Sequence, residues 1–357
     1  MTEPEVIFEV RGSLGIVTLN RPRAVNALNR PMVDAMLERL TGWATDPSVS
    51  QVLVRGAGER GLCAGGDIVA IYRDLLAGGG ETAGFWEAEY RLNALIHSYP
   101  KPYIGYMDGL VLGGGVGISA HGSHRLVTER TRSGMPETTI GFVPDVGGTY
   151  LLSRAPGQSG VHAALTGAHL GPAEAIYLGL ADHLIDSGSS AELFDALETT
   201  PVDRALPDFI RPAPESELAA WRPWLDDAYG RPRVPDIVAR LRELAADGNI
   251  DAARTAETLA GKSPTALAVT LESLRRAGGL GSLEAALEQE YRVGLRLLES
   301  ADFPEGIRAQ VIDKDCAPAW QPAALAEVGD DLVAGFFAPL GERELKLGPS
   351  ALSDAIE

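Results

Sequence analysis

Two carboxylates lie in an otherwise apolar stretch bracketed by Pro and Gly, Met135-Pro136-Glu137-Thr138-Thr139-Ile140-Gly141-Phe142-Val143-Pro144-Asp145-Val146-Gly147-Gly148-Thr149. Acids in such surroundings lose water, which raises their proton affinity and suits them to general acid or base work near neutral pH. Read structurally, Glu137 is a helix-start residue and Asp145 a turn or cap residue. Upstream are two Gly-rich loops. Leu62-Cys63-Ala64-Gly65-Gly66-Asp67-Ile68 follows a strand at 52–54, and its glycines let a ligand approach the backbone closely. Gly109-Leu110-Val111-Leu112-Gly113-Gly114-Gly115-Val116-Gly117 also follows a strand and runs into a helical stretch at 118–121. Its amides would then sit at a helix N-terminus, where an anion is favoured. One amide from each loop could hold a carbonyl oxygen that turns negative during reaction, as a backbone oxyanion hole does. Either loop alone reads as a tight turn; the pair, each after a strand, reads as a site.

Those loops need a scaffold of strands. Alternation at 6–10, a glycine turn at 12–15 and an apolar run at 16–19 read as a hairpin. Met32, Met36, Leu40 and Trp43 recur at helical spacing, with Asn29 and Pro31 placed to begin the helix. Further strands are expected at 51–55, 103–107, 125–128 and 182–185, with helices such as 85–98 and 172–178 between them. The alternation predicts an α/β fold with mainly parallel strands, whose carboxyl-end loops build the site. Seven prolines between Pro201 and Pro235 mark a boundary region rather than continuing sheet. Segments 265–277 and 283–299 then carry helical periodicity. The organisation expected is a core over 1–200, a Pro-rich connecting segment over 201–235 and a helical region over 236–357.

At 357 residues the chain can bury a large core. Its 45% apolar and 22% charged residues are those of a globular protein rather than a disordered or fibrous one. Asp plus Glu outnumber Lys plus Arg by 49 to 31, a formal charge of -18 that argues against general attraction to nucleic acid or anionic membranes. Cys63 and Cys316, far apart, offer neither a disulfide framework nor a paired-cysteine zinc site, and suit a reducing cytoplasm. Glu3, Glu5 and Glu9 at the N-terminus resemble neither a secretory signal nor a transit peptide, and no apolar run spans a bilayer. A soluble cytoplasmic protein is expected.

Taken together the three stretches resemble the crotonase, or enoyl-CoA hydratase/isomerase, superfamily, as do Asn20-Arg21-Pro22 and Asn26-Ala27-Leu28. The resemblance implies a crotonase-like ββα spiral core with a C-terminal helical layer. It also implies that Gly66 and Gly114 supply the oxyanion amides to a coenzyme A thioester, with Ala64, Asp67 and Ile68 lining the CoA path. A hydratase of the superfamily needs two acids around one water. Here the first position is Gly117 and only the second, Glu137, is acidic, so ordinary hydration is disfavoured. GGGVG, MPET, G-x-x-PDVGG, Glu89-Tyr90-Arg91-Leu92-Asn93, Lys262-Ser263-Pro264-Thr265 and Ile312-Asp313-Lys314-Asp315-Cys316-Ala317-Pro318-Ala319-Trp320 are similar to the 3-hydroxyisobutyryl-CoA hydrolase family over nearly the whole chain. That resemblance implies hydrolysis of a short 3-hydroxyacyl-CoA in valine degradation, with no separate cofactor, CoA being part of the substrate. Substrate contacts are implied at Glu89, Gly114, Glu137 and Asp145. Glu137 would be nucleophile or base, and Asp145 would orient the acyl hydroxyl or move a proton. Crotonase relatives often form trimers, so a homo-oligomer is a possible assembly.

Rival readings rest on single features. Gly115-Val116-Gly117-Ile118-Ser119-Ala120 fits the G-x-G-x-x-A form of a dinucleotide fingerprint, with Glu129 ending the next strand, and would suit an NAD-dependent dehydrogenase. That leaves AGGD and PDVGG without a role. Hydratase or isomerase activity on the same fold, with Asp145 compensating for Gly117, is a second rival, and a silent CoA-ester binder a third. No metal site is expected: His97, His121, His124, His162, His169 and His183 lack zinc-ligand spacing, and His121 with His124 reads as structural. Cys63, lacking a base partner, reads as a small buried side chain.

Overall fold

The computed structural model describes residues 3–78 and 80–348. The expected hairpin opens it: β1 (Val6–Arg11) pairs antiparallel with β2 (Leu14–Leu19). Helix α1 (Arg30–Thr45) is started by the Asn29 side chain, which accepts the Met32 N–H, and it buries Met32, Met36, Leu40 and Trp43. The chain continues through β3 (Gln51–Gly56), α2 (Ile68–Ala77), α3 (Glu81–His97), β4 (Tyr103–Met107), β5 (Leu110–Leu112), α4 (Gly114–Gly117), β6 (His124–Thr128) and β7 (Arg132–Gly134). There follow α5 (Gly148–Leu152), α6 (Ser159–Thr166), α7 (Pro172–Tyr177), β8 (His183–Ile185), α8 (Ser190–Leu197), α9 (Val202–Ala205) and β9 (Ile210–Arg211). Helices α10 (Glu217–Tyr229), α11 (Val234–Ala246), α12 (Ile250–Ala260), α13 (Pro264–Gly279), α14 (Leu283–Leu298), α15 (Asp302–Ile307) and α16 (Asp330–Phe336) complete it.

Among the described residues the main sheet has seven strands in the order β1-β2-β3-β4-β6-β8-β9. Pairing is parallel from β2 through β8 and antiparallel at both edges. Its central strands are apolar on both faces, as sheets covered by helices on each side must be. Val17, Val52, Val54 and Val127 join the larger core, whereas Ile16, Leu53, Ile104 and Leu126 join a second cluster closed by Leu193, Leu197, Val202 and Leu206 of the α8–α9 region. Burying each such Val or Leu contributes about 1.5–3 kcal/mol, so substitution inside either layer is costly.

The Pro-rich stretch differs from its expectation. β9 lies inside it and extends the sheet antiparallel to β8, with Ile185 opposite Ile210. No proline falls inside this two-residue edge strand; Pro207 and Pro212 flank it. Helix α10, carrying Pro223 in its interior, buries Leu218, Leu225, Ala228 and Tyr229 in the larger core. That core also takes in the C-terminal helices, from Val6 to Leu345. The extremes of the expected outer regions, 1–2 and 349–357, lie outside the described residues.

Candidate active site

A second, two-stranded sheet of β5 and β7 stitches the Gly-rich loops together. The Cys63 N–H donates to the Leu110 carbonyl at 3.1 Å, the Leu112 N–H to the Cys63 carbonyl at 2.9 Å, and the Gly113 N–H to the Gly134 carbonyl at 3.1 Å. The first loop is also held by Leu28, whose N–H meets the Gly65 carbonyl and whose carbonyl accepts the Asp67 N–H, both at 2.8 Å. That bridge uses the groups flanking Gly66 and leaves the Gly66 N–H on the opposite edge of the segment. Gly114 is the first residue of α4, where an N–H has no acceptor within the helix. Among the described residues neither amide donates to a protein acceptor. Both glycines line one cavity with Ala64, Ile68, Glu89, Glu137 and Asp145. Its apolar wall is an aromatic group, with ring centroids 5.0 Å apart for Trp86 and Phe142 and 4.7 Å for Phe142 and Phe303.

Glu137 begins a 3-10 turn, Glu137–Ile140, so its helix-start role and its place in the cavity coincide. It is 8% exposed, and its Oε1 lies against Gly113, where an added Cβ would come within 2.7 Å of it. Gly113 has φ 48° and ψ -116°, a conformation that glycine alone adopts readily. Glu89 faces Gly114 in the same way, its Oε1 being 2.5 Å from the Cβ position there. Glu89 Oε1 and Glu137 Oε2 are buried without a protein hydrogen-bond partner. Asp145 Oδ2 accepts the Tyr90 hydroxyl at 2.7 Å.

Burial raises all three carboxyl groups. It pushes Asp145 up to about 7, the Tyr90 hydrogen bond pulling the other way. Glu137 and Glu89 lie well above the usual carboxylate range, from burial first and from the charge of Asp145 second. Three acids buried together in one cavity cannot all ionise together, so the group holds exchangeable protons near neutral pH. With two unused amides beside them, the arrangement can polarise a carbonyl and move a proton at it.

The loop bearing Asp145 is fastened from two sides. Val146 has φ 50°, an uncommon value for a β-branched residue. Its carbonyl accepts the His121 Nε2–H at 2.8 Å. Glu290 of α14 accepts the Gly147 N–H at 2.7 Å and the Thr149 N–H at 2.9 Å, together with the Thr149 hydroxyl. Burial pushes Glu290 up to about 8 against the pull of these donors. Sequence reasoning singled out neither Tyr90 nor Glu290 for this work. The available signal for Glu290 was an acid on the apolar face of a helix that also buries Leu287, Val293 and Leu297.

Seven of the residues expected at the site, Ala64, Gly66, Ile68, Glu89, Gly114, Glu137 and Asp145, are brought together. Asp67 is not. Its carboxylate caps α2 by accepting the Ala70 N–H at 3.1 Å and pairs with Arg21 at 2.9 Å, so it shapes the loop instead of lining the cavity. The expected helix at 118–121 is displaced to Gly114–Gly117, because the glycine amides themselves form the first turn. The fingerprint segment follows β5 of the small sheet, and Glu129 accepts the Ser187 N–H. Cys63 is fully buried, and desolvation pushes its thiol up to about 12. At Gly117 a Cβ would stand 2.7 Å from Val146 Cβ and 2.9 Å from Asn93 Nδ2, so any side chain there requires Val146 and Asn93 to move.

The profile of the family described as "Enoyl-CoA hydratase/isomerase" matches residues 14–337. The chain is 39% identical to a zebrafish (Danio rerio) protein called "3-hydroxyisobutyryl-CoA hydrolase, mitochondrial", covering 96% of this chain and 92% of that one. It is 36% identical to "3-hydroxyisobutyryl-CoA hydrolase 1" of Arabidopsis thaliana, over 98% and 95% of the two chains. Among solved structures, one described as a carnitinyl-CoA dehydratase from Mycobacterium thermoresistibile is similar with a TM-score of 0.93 and 51% identity, over 98% of this chain and 100% of that one. A structure described as an enoyl-CoA hydratase from Rhodobacter sphaeroides has a TM-score of 0.90 and 40% identity, over 96% and 100%.

Proposed function

The chain belongs to the enoyl-CoA hydratase/isomerase family, and from that premise we propose that it hydrolyses a short 3-hydroxyacyl-CoA, 3-hydroxyisobutyryl-CoA first among them, in valine degradation. The observation that carries this reading is the position of the second acid. Hydration needs two carboxylates around one water, and position 117 is packed shut by Val146 and Asn93. The partner of Glu137 is instead Asp145, held by Tyr90 in the same cavity. In this reading the Gly66 and Gly114 amides take the charge that develops on the thioester oxygen. Glu137 attacks the carbonyl or activates water, and Asp145 orients the acyl hydroxyl or carries a proton. The 3-hydroxyisobutyryl-CoA hydrolase names of the zebrafish and Arabidopsis proteins support it.

The names of the two structural relatives favour a second reading, hydration or dehydration of an enoyl-CoA. One experiment separates the two. Thiol release from 3-hydroxyisobutyryl-CoA is compared with loss of enoyl absorbance from the corresponding unsaturated ester. Hydrolysis predicts fast thiol release with little change in the enoyl ester; the reverse pattern sinks it. Single turnover in water labelled with heavy oxygen adds the mechanism: label found in the Glu137 carboxylate marks a covalent intermediate. We place the protein in the cytoplasm, where its two free thiols, Cys63 and Cys316, would stay reduced. Among the described residues no helix is long and apolar enough to cross a membrane.

A further inference from the structure

Behind the cavity a row of polar side chains runs through the core. Glu89, Asn93 and His97 are spaced four residues apart on α3, on one helical face about 12 Å long from end to end. Opposite them stand Gly114, Gly117 and His121. The rungs are close: Glu89 Oε1 is 2.5 Å from the Cβ position of Gly114, Asn93 Nδ2 is 2.9 Å from that of Gly117, and the His97 and His121 ring centroids are 6.2 Å apart. Asn93 is fully buried, yet neither its Nδ2 nor its Oδ1 meets a protein partner among the described residues. The same holds for Glu89 Oε1 and His121 Nδ1. Because His121 Nε2–H is used on the Val146 carbonyl, Nδ1 is left as an acceptor. His121 stays neutral, since burial lowers it to about 4. The row ends in a separate open cavity of about 300 Å³ lined by His97, Lys101, His121, Ser123 and Tyr150. His97 there is exposed.

Buried polar groups that lack protein partners are commonly satisfied by ordered water, and three such side chains in file offer water a path through an otherwise apolar core. We propose that the Glu89–Asn93–His97 row, with His121 opposite, is a water and proton route between the catalytic cavity and the rear surface. The proposal rests on the hydrolytic reading. Hydrolysis converts the thioester and one water into a carboxylate and a free thiol and releases one proton. The C–S bond breaks, a C–O bond forms, and the sulfur takes one proton of the water while the other leaves. A CoA ester held by the two amides occupies the front opening during this exchange, so a second opening lets water in and the proton out. Asn93 serves as a relay because it offers a donor and an acceptor to successive waters without itself ionising. It is a positioning residue for water rather than a catalytic one.

The test sets polarity against packing. Asn93→Leu keeps the branching and removes both polar atoms, and Asn93→Ser is smaller but polar and leaves room for a water. The route predicts that Asn93→Leu lowers turnover on the order of tenfold or more, while affinity for a non-hydrolysable CoA thioether stays unchanged. Asn93→Ser is expected to keep most of the turnover. A packing role predicts the opposite order, with Ser the worse variant, and that result overturns the proposal. A wild-type crystal structure gives an independent reading whatever the variants do. Ordered waters bridging Asn93 to Glu89 and to His121 Nδ1 are expected; direct protein partners for those atoms would overturn the route. If the wild-type protein leaves the hydroxyacyl ester intact, the hydrolytic reading and the route fall together. If it hydrolyses the ester and Asn93→Leu matches it, only the route falls.

Discussion

At the scale of the residue, the chemistry turns on how few charges the cavity can hold. Burial raises Glu137, Glu89 and Asp145, and the charge of Asp145 raises the two glutamates further, so replacing Glu137 with Gln removes the proposed reacting group and relieves an electrostatic cost at once. Glu137→Gln is expected to lower thiol release by roughly 10²–10⁴-fold with an unchanged or higher Tm, measured by assay and calorimetry on one preparation. A matching loss of fold would mean that the residue is structural. Tyr90 acts on the neighbour. Its hydroxyl donates to the Asp145 carboxylate and so favours the ionised form. Tyr90→Phe should therefore move the Asp145 limb of the kcat/KM profile from about 7 toward higher pH. An unshifted limb would show that Asp145 does not govern that limb.

At the scale of the element, the one-turn helix α4 decides where an acid can stand. Its Gly117 packs directly on Val146 and Asn93, so even a methyl group requires movement of the loop that holds Asp145. Gly117→Ala is expected to cost about 1–3 kcal/mol, the range of overpacking in a core, as read from denaturant midpoints. Gly117→Glu should lower thiol release without creating hydration of the enoyl ester. Appearance of hydratase activity in that variant would refute the steric account of this position. The strands and long helices were legible because their signals are local. β4 falls on the expected residues 103–107, and the Asn29 cap begins α1 where its side chain can reach the Met32 N–H. β9 was illegible, because a two-residue edge strand has too few residues to show alternation and the prolines flanking it signalled a break.

At the scale of the whole molecule, the C-terminal helices complete the site. α15 supplies Phe303 to the wall, and α14 supplies Glu290, which holds the Asp145 loop from 143 residues away in sequence. Glu290→Gln replaces one acceptor oxygen with an NH₂ group facing backbone donors, a loss of about 1–3 kcal/mol on the scale of buried unsatisfied groups. The pH dependence has a definite sign. Asp145 and Glu290 have folded values of about 7 and about 8, above their ordinary 3.8 and 4.5. The stabilisation from holding them protonated is full below the ordinary values and is lost as pH rises through 7 to 8. Tm should therefore fall between about pH 4 and 8 and level off above that, and Glu290→Gln should make the fall shallower. A Tm that rises across this range would contradict the assignment.

The sequence by itself determined the longer strands and helices and singled out the glycines and acids that line the cavity, since backbone preference and side-chain spacing are properties of neighbouring residues. Only the tertiary structure decided that Asp67 turns to Arg21 and Ala70, that Tyr90 and Glu290 serve Asp145, and that Gly117 has no room for a side chain. Those outcomes depend on dehydration and pairing between residues distant in sequence. The energy of a buried carboxylate is set by whatever surrounds it once the chain has folded.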